Sequence, residues 1–196
     1  LHQSLVILHV LTALFSLAMG PLAMILRKGG RNHNLIGRLY FWGMFTTNTS
    51  ALVLLTYRFN IFLLGVTVLT LYGAIMGYRA ILRKRAADAR PTGLDWSVSA
   101  VASLSGLSLI GWSVMALLGA SIIRLPLGPD TPLVLILLPL GFGVAITQMA
   151  VVDMKNYLRP SQDRLWWWFQ HMNGMLRSYI GLTTALMVQQ VGPRLP

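Results

Sequence analysis

LWWWFQHMNGMLRSYIGLTTALMV, Leu165–Val188, decides how this chain is read. Roughly twenty apolar residues suffice to cross a bilayer, yet this run carries His171 and, near its middle, Arg177. A guanidinium does not shed its charge. At bilayer depth it is costly unless it faces a protein interior, a wet cavity or an anionic partner. The stretch therefore predicts a membrane-spanning helix in a bundle with a polar internal feature.

Five further runs have the same length and character: Leu5–Ile25, Ile36–Tyr57, Ile61–Leu82, Trp96–Ile123 and Pro132–Val152. Backbone groups in lipid must satisfy one another, so each is expected to be helical. The prediction is an all-α, polytopic bundle of six transmembrane helices forming a single domain over residues 1–196. Asn60 and Asp95 precede the third and fourth runs as caps, Thr131-Pro132 opens the fifth, and Asp130 and Asp163 also precede apolar runs. The first run has no basic leader or small-residue cleavage site and reads as a retained anchor.

Composition agrees. Of 196 residues, 55% are hydrophobic and 11% charged, against about a quarter charged in soluble domains. The net charge of +11 comes from short loops, the pattern of membrane orientation and not of a nucleic-acid surface. Arg27, Lys28, Arg31 and Arg38 flank the first connection; Arg83, Lys84, Arg85 and Arg90 the third; Lys155, Arg159 and Arg164 the fifth. The even connections hold only Arg58 and Arg124. Both termini are thus expected on the periplasmic or extracellular side of a bacterial inner membrane.

The chain has no cysteine and no Glu, so thiolate chemistry is excluded. Its five Asp fall in loops or at the ends of runs: Asp88 in a loop, Asp153 at the end of the fifth span. That pattern argues against a buried-acid proton relay and against paired-carboxylate hydrolysis. No compact metal-ligand spacing appears, so no metal centre is expected.

Two polar stripes draw attention. His9, Ala13, Ser16 and Gly20 share a face of the first helix, a packing signature, with Pro21 placed to kink it. The second helix carries Thr46-Thr47-Asn48-Thr49-Ser50. Asn48 and Arg177 each lie twelve residues from the basic end of their runs, hence about 18 Å deep at roughly 1.5 Å per residue. Arg177 is expected to find acceptors among Thr47, Asn48 and Thr49. On the last helix, His171, Gly174, Met175 and Ser178 share one face, and Asn173, Arg177 and Thr184 another. Gly73-x-x-x-Gly77 permits close helix approach, the serines of the fourth helix mark tight packing, and Pro139, Gly141 and Gly143 are placed to bend the fifth.

Three histidines, His9, His33 and His171, are candidate cofactor ligands. By the same rise, His9 and His171 differ too much in depth to ligate one haem. His33 approaches His171 only if the second helix begins early, and a single haem b is then feasible; an unpaired imidazole suits a chlorin or a helix–helix hydrogen bond. Lys28-Gly29-Gly30-Arg31-Asn32-His33 reads as a flexible basic turn able to hold a lipid phosphate. Trp166-Trp167-Trp168 reads as an interfacial belt.

Three clusters together resemble an uncharacterised bacterial family of predicted multi-spanning membrane proteins of unknown function. They are His9 with Gly20-Pro21, His33-x-x-x-Gly37-Arg38-x-Tyr40, and His171-x-x-x-Met175-x-Arg177-Ser178-Tyr179. Where members have basic residues and Trp after the last histidine, this chain has Met172-Asn173-Gly174. The resemblance implies no activity. It marks Arg38, Tyr40, Arg177, Ser178 and Tyr179 with the histidines; together with Asn48, chosen from its depth, these residues predict a polar pocket opening at the basic end, between the first, second and sixth helices.

The expected function is a binding or accessory subunit of a membrane assembly, holding lipid, quinone or pigment. A redox protein with histidine-ligated haem is the second expectation. A membrane enzyme or transporter for an anionic or amphipathic substrate at Arg38 and Arg177 is the third. The expected partners are membrane lipids and other membrane subunits, not nucleic acid.

Overall fold

A computed structural model describes residues 2–84, 90–119, 133–159, 161 and 163–190. It is all-α, with six helices: α1 (His2–Ile25), α2 (Arg31–Tyr57), α3 (Ile61–Leu82), α4 (Gly93–Leu117), α5 (Val134–Leu158) and α6 (Trp166–Gln190). Four of them, α1, α3, α4 and α5, are long and apolar enough to cross a membrane. α2 and α6 are as long but diluted by polar residues, among them Asn48, Ser50 and Ser178, which are buried. Asp88, Asp130, the Thr131-Pro132 cap, Arg85 and Arg124 lie outside the described residues.

The helix starts follow local chemistry. Asn60 caps α3 by accepting the Leu63 N–H at 3.1 Å. Thr92, not Asp95, occupies the N-cap of α4, and Asp95 sits at the third helical position, accepting the Thr92 N–H at 2.7 Å. α2 starts at Arg31, five residues before Ile36, because Gly29 turns the chain at φ +77° and Gly30 is the N-cap. Hydropathy marks only the apolar part of such a helix; its polar first turn continues the same backbone ladder. α5 likewise runs on past Val152 to Leu158 and stays helical through Pro139.

α3 is the hub. In its most apolar stretch 56% of residues are buried, against 11% in α1, and it packs on α2, α4, α5 and α6. Two cores flank it. Tyr72 and Met76 join Ala102, Leu109, Ile146, Ala150 and Tyr157 on the α4/α5 side. Ala74 joins Tyr40, Phe41, Met44 and Leu182 on the α2/α6 side. Hairpins α1–α2 and α4–α5 thus sit on opposite flanks of an α3–α6 pair.

Glycine sets the α3–α6 distance. A Cβ on Gly174 would stand 2.6 Å from the Gly73 carbonyl oxygen and 2.7 Å from the Gly77 Cα. The Gly73/Gly77 spacing therefore does what it suggested: two backbones touch where no side chain fits. Gly106 and Gly143 repeat this between α4 and α5.

Candidate functional site

At the end where α1, α3 and α5 finish and α2, α4 and α6 begin, the bundle gathers two distinct constellations, one on each flank of α3–α6.

The first contains His33 and His171. Because α2 begins early, His33 lies in its first turn and its ring stands 6.5 Å, centroid to centroid, from that of His171, at 88°. His33 Nδ1 lies 2.9 Å from the Ala23 carbonyl oxygen, and His171 Nδ1 lies 2.9 Å from that of Gly77. A carbonyl only accepts, so each Nδ1 carries the proton, and in the neutral ring Nε2 keeps its lone pair. Neither Nε2 has a hydrogen-bond partner among the described residues. Gly77 matters twice here, since a side chain there would meet the Gly174 backbone and push away the helix that carries His171. Around the pair, Lys28 donates to the Ala23 carbonyl at 3.0 Å and to that of Met24. The expected flexible turn is in fact a lysine-capped helix end.

His9 belongs elsewhere. Its Nδ1 sits 3.0 Å from the Thr47 carbonyl and 3.1 Å from Ser50 Oγ. It lines a 490 Å³ apolar cleft that runs toward His2, Arg58 and Gln189 at the opposite end.

At the basic end, where the expected pocket between α1, α2 and α6 would open, side chains pack against one another. Tyr40 OH and Ser178 Oγ meet at 2.8 Å, Tyr179 OH donates to the Leu17 carbonyl at 3.4 Å, and Gly20 lies against the Tyr179 ring. These residues form a seam that locks α2, α6 and α1 together. Arg38 is exposed and turned back on its own helix, donating from Nε to the Asn34 carbonyl at 3.3 Å.

The expected clamp on Arg177 does not form. Asn48 accepts from Thr70 at 2.5 Å and donates to the Met44 carbonyl at 2.8 Å. Thr47 donates to the Gly43 carbonyl, and Thr49 to that of Phe45. The reason lies in helix phase. The α6 face with Ser178 turns to α2, so Arg177 turns to the other flank, where it is exposed to a cleft and has no hydrogen bond among the described residues.

That cleft is the second constellation. α5 and α6 both pack on α3 but scarcely touch each other, which leaves about 640 Å³ lined by Arg83, Asp153, Tyr157, Trp166, Gln170 and Arg177 among others. Arg79 grips Asp95 bidentately, Nε–Oδ1 at 2.8 Å and Nη2–Oδ2 at 2.6 Å. Asp153, expected at the end of a span, is buried inside the longer α5 and accepts from Tyr72 OH and Gln170 Nε2, each at 2.6 Å. Ser99 Oγ links Tyr72 OH at 3.1 Å with Tyr157 OH at 3.0 Å.

Arg83, one of the basic residues flanking the third connection in the sequence, is buried in the bundle. It is 4% exposed, and its guanidinium lies over the rings of Tyr157 at 5.2 Å and Trp166 at 5.4 Å. Trp167 takes Lys84 in the same way at 5.8 Å, so two of the three tryptophans are cation partners. A signal was present: Arg79 and Arg83 stand four apart on α3, and Gln170, Asn173 and Arg177 recur at helical spacing on α6.

Among the described residues no group of three or more His, Cys, Asp or Glu is placed to hold a metal ion. No family model matches the sequence, and no curated protein or solved structure matches it either.

Proposed function

We propose that this is a multi-pass membrane protein that holds a b-type haem between His33 and His171, a pigment-binding protein of the one-electron redox class. The observation that carries the reading is the histidine pair: two imidazoles on different helices, each fixed through Nδ1 to a backbone carbonyl, with ring centroids 6.5 Å apart. A metal bonded at about 2 Å to one nitrogen of each ring leaves the centroids roughly 6–7 Å apart. Anchoring the second imidazole nitrogen on a carbonyl is how ligand histidines are oriented.

The donor set favours haem over a bare ion. Two side chains alone do not complete the shell of a zinc ion, which takes three or four. Haem iron brings four nitrogens of its own, so the two imidazoles of His33 and His171 would complete its ligand set. Arg27, Lys28 and Arg31, in the turn that leads to His33, would supply positive charge for the carboxylates such a pigment carries. When bound, it would supply reversible one-electron exchange; the chain's part is to fix both imidazoles and screen them with α1 and α6. Both residues come from the clusters that carry the resemblance to the uncharacterised family.

In this reading all six helices cross the membrane, the basic loops face the cytoplasm and both termini lie opposite. Its support is the charge asymmetry of the loops and the burial of the polar residues that make α2 and α6 less apolar.

The test is optical. Protein produced with haem precursor and purified in detergent should show a six-coordinate Soret band and one haem b per chain. His33→Ala and His171→Ala should each abolish or shift that band, while His9→Ala keeps it. A colourless protein that takes up no added hemin would overturn the proposal.

A further inference from the structure

The α3/α5/α6 cleft carries a second, independent inference. We infer that it is a binding site for an acidic amphiphile, with the oxyanion head held by Arg83 and the alkyl chain laid along α3.

Arg83 makes the case. Its Nε and Nη2 are buried without a hydrogen-bond partner among the described residues, and its side chain is only 5% exposed. A buried cation with unmade hydrogen bonds is among the costliest groups a fold can keep. The nearest carboxylate, Asp95, does not relieve it. Arg83 Nε is 3.9 Å from Asp95 Oδ1, while the two Asp95 oxygens already accept from Arg79 and Thr92. Asp153, in the same cleft, is likewise occupied by Tyr72 and Gln170. The flanking rings of Tyr157 and Trp166 steady the charge but accept no N–H in the plane of the guanidinium. What is missing is an acceptor in that plane, and a phosphate or carboxylate oxygen fits its fork geometry.

The rest of the cleft chooses the ligand class. Its lining follows α3 from Arg83 back to Leu69, fourteen residues or about 21 Å at roughly 1.5 Å per residue. Along that length Leu69, Met149, Val152 and Phe169 give it an apolar wall, suited to a hydrocarbon chain and not to a small hydrated anion. Arg177 is the second cation on the cleft, entering from α6 beside Gly73, whose added Cβ would lie 3.8 Å from the Arg177 Cβ. The lining also carries two carboxylates, Asp153, already engaged by Tyr72 and Gln170, and the exposed Asp163, so it is the unmet donors of Arg83, and not net charge, that select a negative head. In a membrane whose positive loops gather at this end, an anionic phospholipid has that chemistry.

The experiment uses the whole protein, stripped of lipid in a neutral detergent, with phosphatidylglycerol, phosphatidylcholine and inorganic phosphate as probes and native mass spectrometry as the readout. Phosphatidylglycerol should bind at least about tenfold tighter than phosphatidylcholine, the scale of one charge-assisted hydrogen-bonded pair. Arg83→Gln should remove that preference. Arg177→Gln should reduce it a few-fold, and Arg159→Gln, an exposed cation outside the cleft, should leave it intact. If Arg83→Gln does not fold, Arg83→Lys replaces it: charge is kept, the Nε and Nη2 donors are lost, and the preference should still fall. Equal binding of the two lipids overturns the inference, as does a preference untouched at Arg83. Inorganic phosphate binding as tightly as phosphatidylglycerol would also overturn it, because the alkyl chain would then contribute nothing.

Discussion

The two flanks of the α3–α6 pair solve the same problem differently. Toward α1 and α2 the buried polar groups are neutral and fully engaged: Tyr40 with Ser178, Asn48 with Thr70 and the Met44 carbonyl, each imidazole with a carbonyl. Toward α4 and α5 they include ions, with Arg79 on Asp95, Tyr72 and Gln170 on Asp153, and Arg83 left over together with the neutral Trp112 Nε1, Ser113 Oγ and Thr147 Oγ1, which have no partner among the described residues. At its basic end the first flank closes on itself around the imidazole pair, and its cleft lies toward the other end and is mostly apolar. The second leaves a cleft and a cation. Neutral hydrogen bonds can be completed within a helix seam, whereas a guanidinium whose neighbouring carboxylates are already engaged keeps unmet donors in a dry one.

Substitutions can break or sharpen that contrast. The largest effect is expected at Asp95. Asp95→Ala strands Arg79, and losing one partner of a buried pair costs about 3–5 kcal/mol. Thermal unfolding in detergent should show it, and a fall no larger than that of an exposed-site substitution would refute the ionic core. Next comes the divide itself. Gly174→Val drives a side chain into the Gly73–Gly77 backbone, at about 1–3 kcal/mol of overpacking. Both flanks should respond, with loss of stability and of any Soret band that depends on His171. The smallest effect compares two hydroxyls. Tyr72→Phe removes a donor to a charged carboxylate, worth about 1.5–3 kcal/mol, and Tyr40→Phe a neutral hydrogen bond, worth about 0.5–1.5 kcal/mol. Paired unfolding curves should place Tyr72→Phe lower by about 1 kcal/mol; equal curves would erase the distinction between the flanks.

Much of this could be read from helical periodicity. The separation of His171 and Ser178 from Asn173 and Arg177 into two faces of α6 followed from spacing alone, as did the Gly73/Gly77 contact and the Ser16–Gly20 stripe, both buried. Other features depended on where helices begin and end. Whether His33 meets His171 turned on α2 starting at Arg31, and whether Asp153 is a loop acid or a buried one turned on α5 reaching Leu158. Hydropathy marks neither, because a helix continues past its apolar part wherever capping and tertiary contacts satisfy its ladder.

By itself the sequence determined helices, their apolar length, the sorting of charge into alternate loops and the facing of residues on each helix, because all of these are local or periodic. Only the tertiary structure decided which neighbour each face meets. Arg177 was assigned to Asn48 on matching depth, yet it faces the opposite flank, since depth fixes one coordinate and the rotation of α6 on its glycine contact with α3 fixes the other. Arg83 was one loop charge among many until the rings of α5 and α6 closed over it.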